Sequence, residues 1–350
     1  IAISNIAGQL TQFYFIVALT NGTATFQRIS FTNIQSYGLF SGNFKNCTVE
    51  YSNSAITNFD GQESIFMMGN SSDLEVHHNV ALNSSAFQEG GHFRLYFNAS
   101  KMTIHDNTHT FCTTRHYSGG AMSILANISS TLYLYNEVYS GCSSLLDGGA
   151  STYIVLQLTS NGTIYNYTAS GGTCPNNGAG LQVAPKMDCH LTMYQLKLYG
   201  NRAGSVGGDQ QGGGLYVIAE NANISLSNSS FSNNTAGIGA GVSMNDKRNR
   251  TTIAVHNCNF TNNVASGYGG GLTIQLVVSA LQSGHAEAFI DNNTFEGNMA
   301  GEEAGGFYYF GSSDYLEMTN NKFSNNTSVL EGGGACVRTF SEYGLEVHGN

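Results

Sequence analysis

Apolar and polar residues alternate along this chain in short bursts, and the bursts return at a fixed interval. Leu191/Met193, Ile224/Leu226, Ile253/Val255, Ala288/Ile290 and Leu316/Met318 are apolar pairs two residues apart. That spacing marks a strand with one buried face. Five residues after each pair comes an apolar residue followed three later by Asn: Leu198/Asn201, Phe231/Asn234, Phe260/Asn263, Phe295/Asn298 and Phe323/Asn326. A glycine pair or Gly-x-Gly follows, ending at Gly91, Gly120, Gly149, Gly180, Gly214, Gly241, Gly271, Gly306 and Gly334, with a weaker copy at Gly61. A third alternating burst comes next, as in Leu272/Ile274 and Phe307/Tyr309. The beat is about 30 residues.

Three short strands cannot bury a face alone, so such units must stack. The fold predicted is all-β: a right-handed parallel β-helix of about 11–12 coils, with strands about 4.8 Å apart. Residues 1–350 read as one solenoid, with 61–350 regular and 1–60 less so; Phe31, Gly38 and Val49 hint at degenerate coils there. The Asn of each Phe-x-x-Asn is expected to stack on its equivalents as an amide ladder of Asn201, Asn234, Asn263, Asn298 and Asn326. The glycines supply left-handed turns or room for close backbone approach. A strand follows them rather than a helix, which argues against a phosphate cradle. A start at Ile1 and an end inside a strand pattern suggest part of a longer chain.

The pairing of Phe-x-x-Asn with Gly-Gly-apolar, as in Phe260 to Leu272, resembles the repeat of the chlamydial polymorphic outer-membrane proteins. The resemblance runs from about Asp60 to Asn350 and is strongest from Leu198 to Thr339. It implies right-handed coiling and a surface-exposed, structural or adhesive role, and it implies no catalytic residue. The membrane barrel of autotransported proteins is not visible in this sequence.

Composition narrows the function. Charged residues are 10% of the chain and the net charge is −10. No basic cluster suits a nucleic acid; Lys247, Arg248 and Arg250 read as a loop tip. No apolar run is long enough for a membrane span. Sixteen Asn-x-Ser/Thr sequons occur, at Asn21, Asn46, Asn70, Asn83, Asn98, Asn127, Asn161, Asn166, Asn223, Asn228, Asn233, Asn249, Asn259, Asn292, Asn325 and Asn326. That is about twice the number chance gives for 38 Asn. The expectation is a secreted, cell-surface glycoprotein carrying covalent N-linked glycans and no other cofactor. Glycans would also supply solubility to a rod with so few charges.

Seven cysteines are an odd number. Cys112 and Cys142 fall at nearly one phase of adjacent coils, within disulfide reach. Cys174 competes for that bond or pairs locally with Cys189. Cys47 and Cys258 share a phase but lie too far apart, and Cys258 and Cys336 are expected as buried thiols.

Three constellations could carry chemistry. Glu303 and Glu331 each lie three residues before a coil glycine on neighbouring coils. Two carboxylates at that separation suit a retaining glycosidase or a Ca²⁺ bridge. Acid recurs nearby in other coils (Asp60, Glu89, Asp147), which favours turn chemistry. His77 and His105, one coil apart with His78 and Asp106 beside them, could hold Zn²⁺ or Cu²⁺. Tyr216, Tyr308 and Phe310 are expected on the outside, where rings stack on sugars. The favoured reading is a structural or adhesive rod, the building block of an appendage, sheath or filament, and not an enzyme. Its partners are copies of itself, neighbouring domains or extracellular glycans. The alternatives are a carbohydrate-active enzyme and a carbohydrate-binding module.

Overall fold

The computed structural model describes residues 2–4, 15–146, 148–204, 208–246, 250–276, 286–311, 315–339 and 344–350. Among them there are strands and no helix, and the chain is a parallel β-solenoid of about 11 turns. Each strand pairs in parallel with its equivalents in the coils before and after: Thr252–His256 lies between Leu215–Ser227 and Glu287–Asp291. A regular coil holds four strands rather than three, for example Leu272–Leu276, Glu287–Asp291, Thr294–Glu296 and Met299–Ala300. The fourth is two residues long, too short to show alternation in sequence.

The chain turns at three corners by one device. A residue adopts the left-handed conformation, and the next side chain points inward. At the first corner Ser71 and Ala99 are left-handed, and Ser72 and Ser100 point in. At the second, Asn257, Asn292 and Asn320 precede Cys258, Asn293 and Asn321. At the third, Asn233, Asn262 and Gly297 precede Asn234, Asn263 and Asn298. Asn is favoured at the left-handed position because its short amide tolerates positive φ.

The inward residues solve an accounting problem. A buried corner leaves backbone N–H groups with no strand partner, and these must be paired. At the third corner the predicted amide ladder is present throughout. The Asn263 amide nitrogen Nδ2 donates to Asn298 Oδ1 at 3.0 Å and to the Phe231 carbonyl at 2.9 Å, while the Asn263 backbone N–H donates to Asn298 Oδ1 at 3.0 Å. Asn201 to Asn234, Asn234 to Asn263 and Asn298 to Asn326 repeat the pattern. Two further ladders were not foreseen. The second corner runs Asn79–Asn107–Glu137 and later Asn293–Asn321–Asn350. The first corner uses serine, Ser72–Ser100–Ser130–Ser160.

Beside the third ladder, Phe231, Phe260, Phe295 and Phe323 stack with centroid distances of 5.3, 4.8 and 4.8 Å. Burying each ring contributes roughly 2–3 kcal/mol. The coil glycines allow a closer approach than any side chain would. A Cβ on Gly271 would lie 2.5 Å from the carbonyl oxygen of Gly306 in the next coil.

The early residues are regular in a way of their own. Residues 2–4 pair with 30–32, so the solenoid includes them. Left-handed Asn33, Asn58 and Asn83 recur at 25 residues. Ser30–Ser52 is one unbroken 23-residue strand that carries two corners without a glycine loop.

Candidate functional site

Each cysteine finds its place in this scheme. Cys47 and Cys189 stand in the first corner's ladder, Cys258 in the second, and Cys112 and Cys142 in the third. A thiol there replaces the Ser or Asn of other coils. Cys47 and Cys258 therefore occupy different corners, not one phase. The structure brings Cys112 and Cys142 together on adjacent coils, and the hydrogen bond with Cys142, then burial, pushes the Cys112 thiol up. Cys174 packs in the fourth-strand column beside Ala203, on another face from Cys189. Cys336 is half-buried and points outward beneath a loop, not into the core. None of the seven is joined in a disulfide in the structure.

Glu303 and Glu331 are direct neighbours across adjacent coils. Glu303 is buried and Glu331 exposed. The structure sets a cation beside them. The Arg338 guanidinium donates to Glu303 Oε1 and lies 3.6 Å from Glu331 Oε2. Cys336 Sγ is 3.6 Å from Glu303 Oε2. The positive charge a Ca²⁺ bridge would bring is thus provided by the chain itself. Strand alternation alone would have placed Arg338 on the same side as Cys336. Of the comparison acids, Asp60 pairs with Arg115 and Glu89 lies 3.5 Å from Arg94, while Asp147 lies outside the described residues.

Tyr216 and Tyr308 are 5% exposed, which overturns their expected role as an outer aromatic strip; Phe310 is half-buried. The loop before each glycine pair folds back over this strand. Tyr268 from that loop stacks on Tyr308 at 5.1 Å. Its hydrogen bond to Glu302 pushes its hydroxyl up to about 12.

The histidines lie on a genuine outer column. The last residue of each second strand faces outward, and His77, His105, Tyr135, Tyr165 and Tyr194 stack face to face at 4.9, 4.8, 4.7 and 5.0 Å. His77 Nε2 is 3.3 Å from Glu50 Oε1, and His105 Nε2 is 3.2 Å from Glu75 Oε1. His77 Nδ1 lies 2.7 Å from His78 Nδ1, and His105 Nδ1 lies 2.6 Å from Asp106 Oδ2. Burial acts to raise the Asp106 carboxyl, but hydrogen bonds from His105 and Asn136 outweigh it and hold it below the usual range. His77 and His105 are within 3° of parallel. Imidazole lone pairs lie in the ring plane, so two stacked rings cannot aim at one ion. The set whose donor atoms do converge, within 4.8 Å of one another, is His78, His105 and Asp106.

Of the sequon asparagines, Asn249 lies outside the described residues, as do Lys247 and Arg248. None of the other fifteen is buried; twelve are exposed, and Asn98, Asn127 and Asn326 are half-buried. Eight of them, including Asn21, Asn46, Asn83 and Asn166, are left-handed corner residues. The corner rule itself writes Asn, one inward residue, then a strand Ser or Thr. Part of the sequon excess therefore has a folding cause. Asn161, Asn223 and Asn259 sit on strands with exposed side chains and have no such cause. Asn326 differs in the other direction: it is half-buried and its Nδ2, the atom a glycan would take, donates to the backbone carbonyl of Phe295 at 2.8 Å, whereas the Nδ2 of exposed Asn223 lies 3.2 Å from a side chain, His190.

A buried ionisable group went unread in the sequence. Glu137 takes the ladder position of the second corner. It accepts from Asn107 Nδ2 at 2.7 Å and Tyr139 Oη at 3.0 Å, and lies 3.4 Å from His109 Nε2. His109 Nδ1 is 3.0 Å from His92 Nδ1. Burial, then the neighbouring His109, pushes His92 well below the ordinary imidazole value. These side chains are enclosed, so the cluster is internal structure.

The fold and its corner ladders define a parallel β-solenoid repeat protein. No protein-family model matches the chain, and searches of curated proteins and of solved structures return no match either. No helix among the described residues is long and apolar enough to cross a membrane.

Proposed function

We propose that this chain is an extracellular, N-glycosylated structural or adhesive rod, a building block of a surface appendage, sheath or filament, with a repeat of the polymorphic outer-membrane protein type. The observation that carries the reading is the outward placement of Asn161, Asn223 and Asn259, sequons on strands that the corner rule does not require. The low charge of the chain supports it, since glycans then supply solubility. Copies of the chain, adjoining domains and extracellular glycans are the partners this reading calls for.

The test is peptide mapping of protein from its native source, deglycosylated in heavy-oxygen water. Mass tags at Asn161, Asn223 and Asn259, with Asn326 untagged, are expected. Unmodified asparagine at all three strand sites would sink the reading. Electron microscopy of the same material should show long uniform fibres; isolated short rods would remove the filament part. The enzyme alternative has a test of its own. Glu303 is held by Arg338 and Cys336 rather than open to a sugar. Polysaccharide cleavage that is lost in Glu303→Gln or Glu331→Gln would restore it.

A further inference from the structure

We infer that His78, His105 and Asp106 form a binding site for a single divalent transition-metal ion of the Zn²⁺ class. The inference does not rest on glycosylation or on the filament reading.

The first ground is convergence. One donor atom from each residue lies within 4.8 Å of the other two. Two imidazoles and a carboxylate suit Zn²⁺, with a water in the fourth position.

The second ground is the proton arrangement. Glu75 faces His105 Nε2. His105 Nδ1 and Asp106 Oδ2 lie 2.6 Å apart and share one proton, and a metal ion binding both atoms displaces that proton to solvent while Glu75 keeps hold of the Nε2 side of the ring. Glu50 does the same for His77. The His77 Nδ1 lone pair, 2.7 Å from His78 Nδ1, accepts its N–H, so that His78 presents Nε2 as its free lone pair. Carboxylates that orient imidazoles in this way are the usual outer shell of a metal centre. Glu50, Glu75 and His77 are thus positioning residues, and His78, His105 and Asp106 the ligands.

The third ground is departure from the repeat. The left-handed residue of the second corner is Asn53, Asn136, Asn166, Asn228, Asn257, Asn292 and Asn320 in seven other coils, and Arg28 and Gln195 in two more. His78 and Asp106 replace that Asn in two consecutive coils, beside the one adjacent pair of stacked histidines in the outer column.

The same departure supplies mild variants. His78→Asn and Asp106→Asn restore the residue that the corner carries elsewhere, so both should fold. Titration of the whole chain with Zn²⁺ at pH 7.5 should show one ion per chain. His78→Asn and Asp106→Asn should each weaken binding by 10-fold or more, and Glu75→Gln by about 10-fold or more through the orientation of His105. Co²⁺ in place of Zn²⁺ should give visible absorption of a four-coordinate site, lost in His78→Asn. His256→Asn, in the same outer column with Asp291 above it, should change nothing. Failure to saturate with Zn²⁺ below about 1 mM overturns the proposal, as does binding that survives both His78→Asn and Asp106→Asn with circular dichroism unchanged.

Discussion

The early coils and the later ones solve one problem in two ways. Between Asn33 and Asn83 a coil takes 25 residues, and the chain rounds its third corner, at Asn33, Asn58 and Asn83, inside unbroken strands. From Leu198 onward a coil takes about 30, and the extra residues form a glycine loop that folds back over the following strand. The third corner differs too. In the early coils its inward residue is Ile34 or Phe59, both buried; in the later ones it is Asn. Where an apolar side chain fills the corner, the neighbouring backbone stays in strand pairing and needs no substitute. Where the loop interrupts the pairing, an amide can replace the lost partner. From Leu198 onward ladder and loop occur together, while the coils ending at Gly120 and Gly149 carry the loop with Cys112 and Cys142 at that corner.

The sharpest break of this comparison is at the ladder. Asn263→Ala removes the acceptor for the Asn234 N–H and Nδ2 and the donor to the Phe231 carbonyl. At about 1–3 kcal/mol for a buried group left unpaired, a loss of roughly 3 kcal/mol is expected. Ser72→Ala in the serine ladder removes one hydroxyl, which accepts from Cys47 N and donates to the Asn70 carbonyl, and should cost about 1 kcal/mol. Urea denaturation of both variants measures the difference; equal losses would dissolve the distinction between ladders.

Next comes the loop. Gly271→Ala sets a Cβ 2.5 Å from the Gly306 carbonyl oxygen and should destabilise by about 1–3 kcal/mol. Gly22→Ala in an early coil places its Cβ 3.4 Å from the flexible Leu19 side chain. It should be neutral or stabilising by up to about 0.5–1 kcal/mol. Thermal melts of the two read the contrast directly.

A third effect lies where coil length changes from 25 to 30 residues, at the buried His92. Its folded value is depressed well below 6.5 by burial and by His109. Below about pH 6.5 the unfolded chain binds a proton there that the folded chain refuses, so stability falls as pH falls. His92→Phe should flatten that part of the pH profile between about 7 and 5, measured as the urea midpoint. A profile unchanged by the substitution would remove His92 as its cause.

The smallest effect is at an exposed corner. Asn58 is left-handed at φ 55°, accepts a hydrogen bond from Asn83 and donates one to Asn33. Asn58→Gly keeps the conformation and loses both exposed bonds, for a change within about 0.5 kcal/mol. Asn58→Val forces a β-branched residue into the same conformation and should cost roughly 1–2 kcal/mol. A melt that separates the two confirms that conformation, not hydrogen bonding, holds Asn at the corner.

The sequence showed the ladder of the third corner because one residue type, Asn, repeats there at a fixed distance from Phe. It concealed the second corner because identity varies: Asn79, Asn107, Glu137, Tyr167, Leu196, Ser229 and Cys258 follow one another in the same place. What repeats at that corner is backbone shape, which several side chains can accompany. The early coils were hidden for a related reason, since they lack the glycines that set the beat. Tyr216 and Tyr308 were placed outside because alternation gives the face of a strand and says nothing about a loop that covers it. For the histidines the register was legible and the chelating set was not. Stacking, which follows from register, removes His77 as a ligand beside His105 and brings in His78.

The corner ladders also bear on how such a protein changes over evolutionary time. Each inward Asn bonds only to the coils directly above and below it, to its counterparts and to a strand carbonyl. Excising a whole coil, from Asn263 to the residue before Asn298, would bring Asn234 against Asn298 with the same donors and acceptors facing. Duplicating a coil would be equally silent. Errors of copying that ruin a globular domain by shifting its register would, here, only make the molecule shorter or longer by about 4.8 Å for each coil. Length becomes a heritable trait that drifts or is selected in unit steps, while the cross-section stays constant.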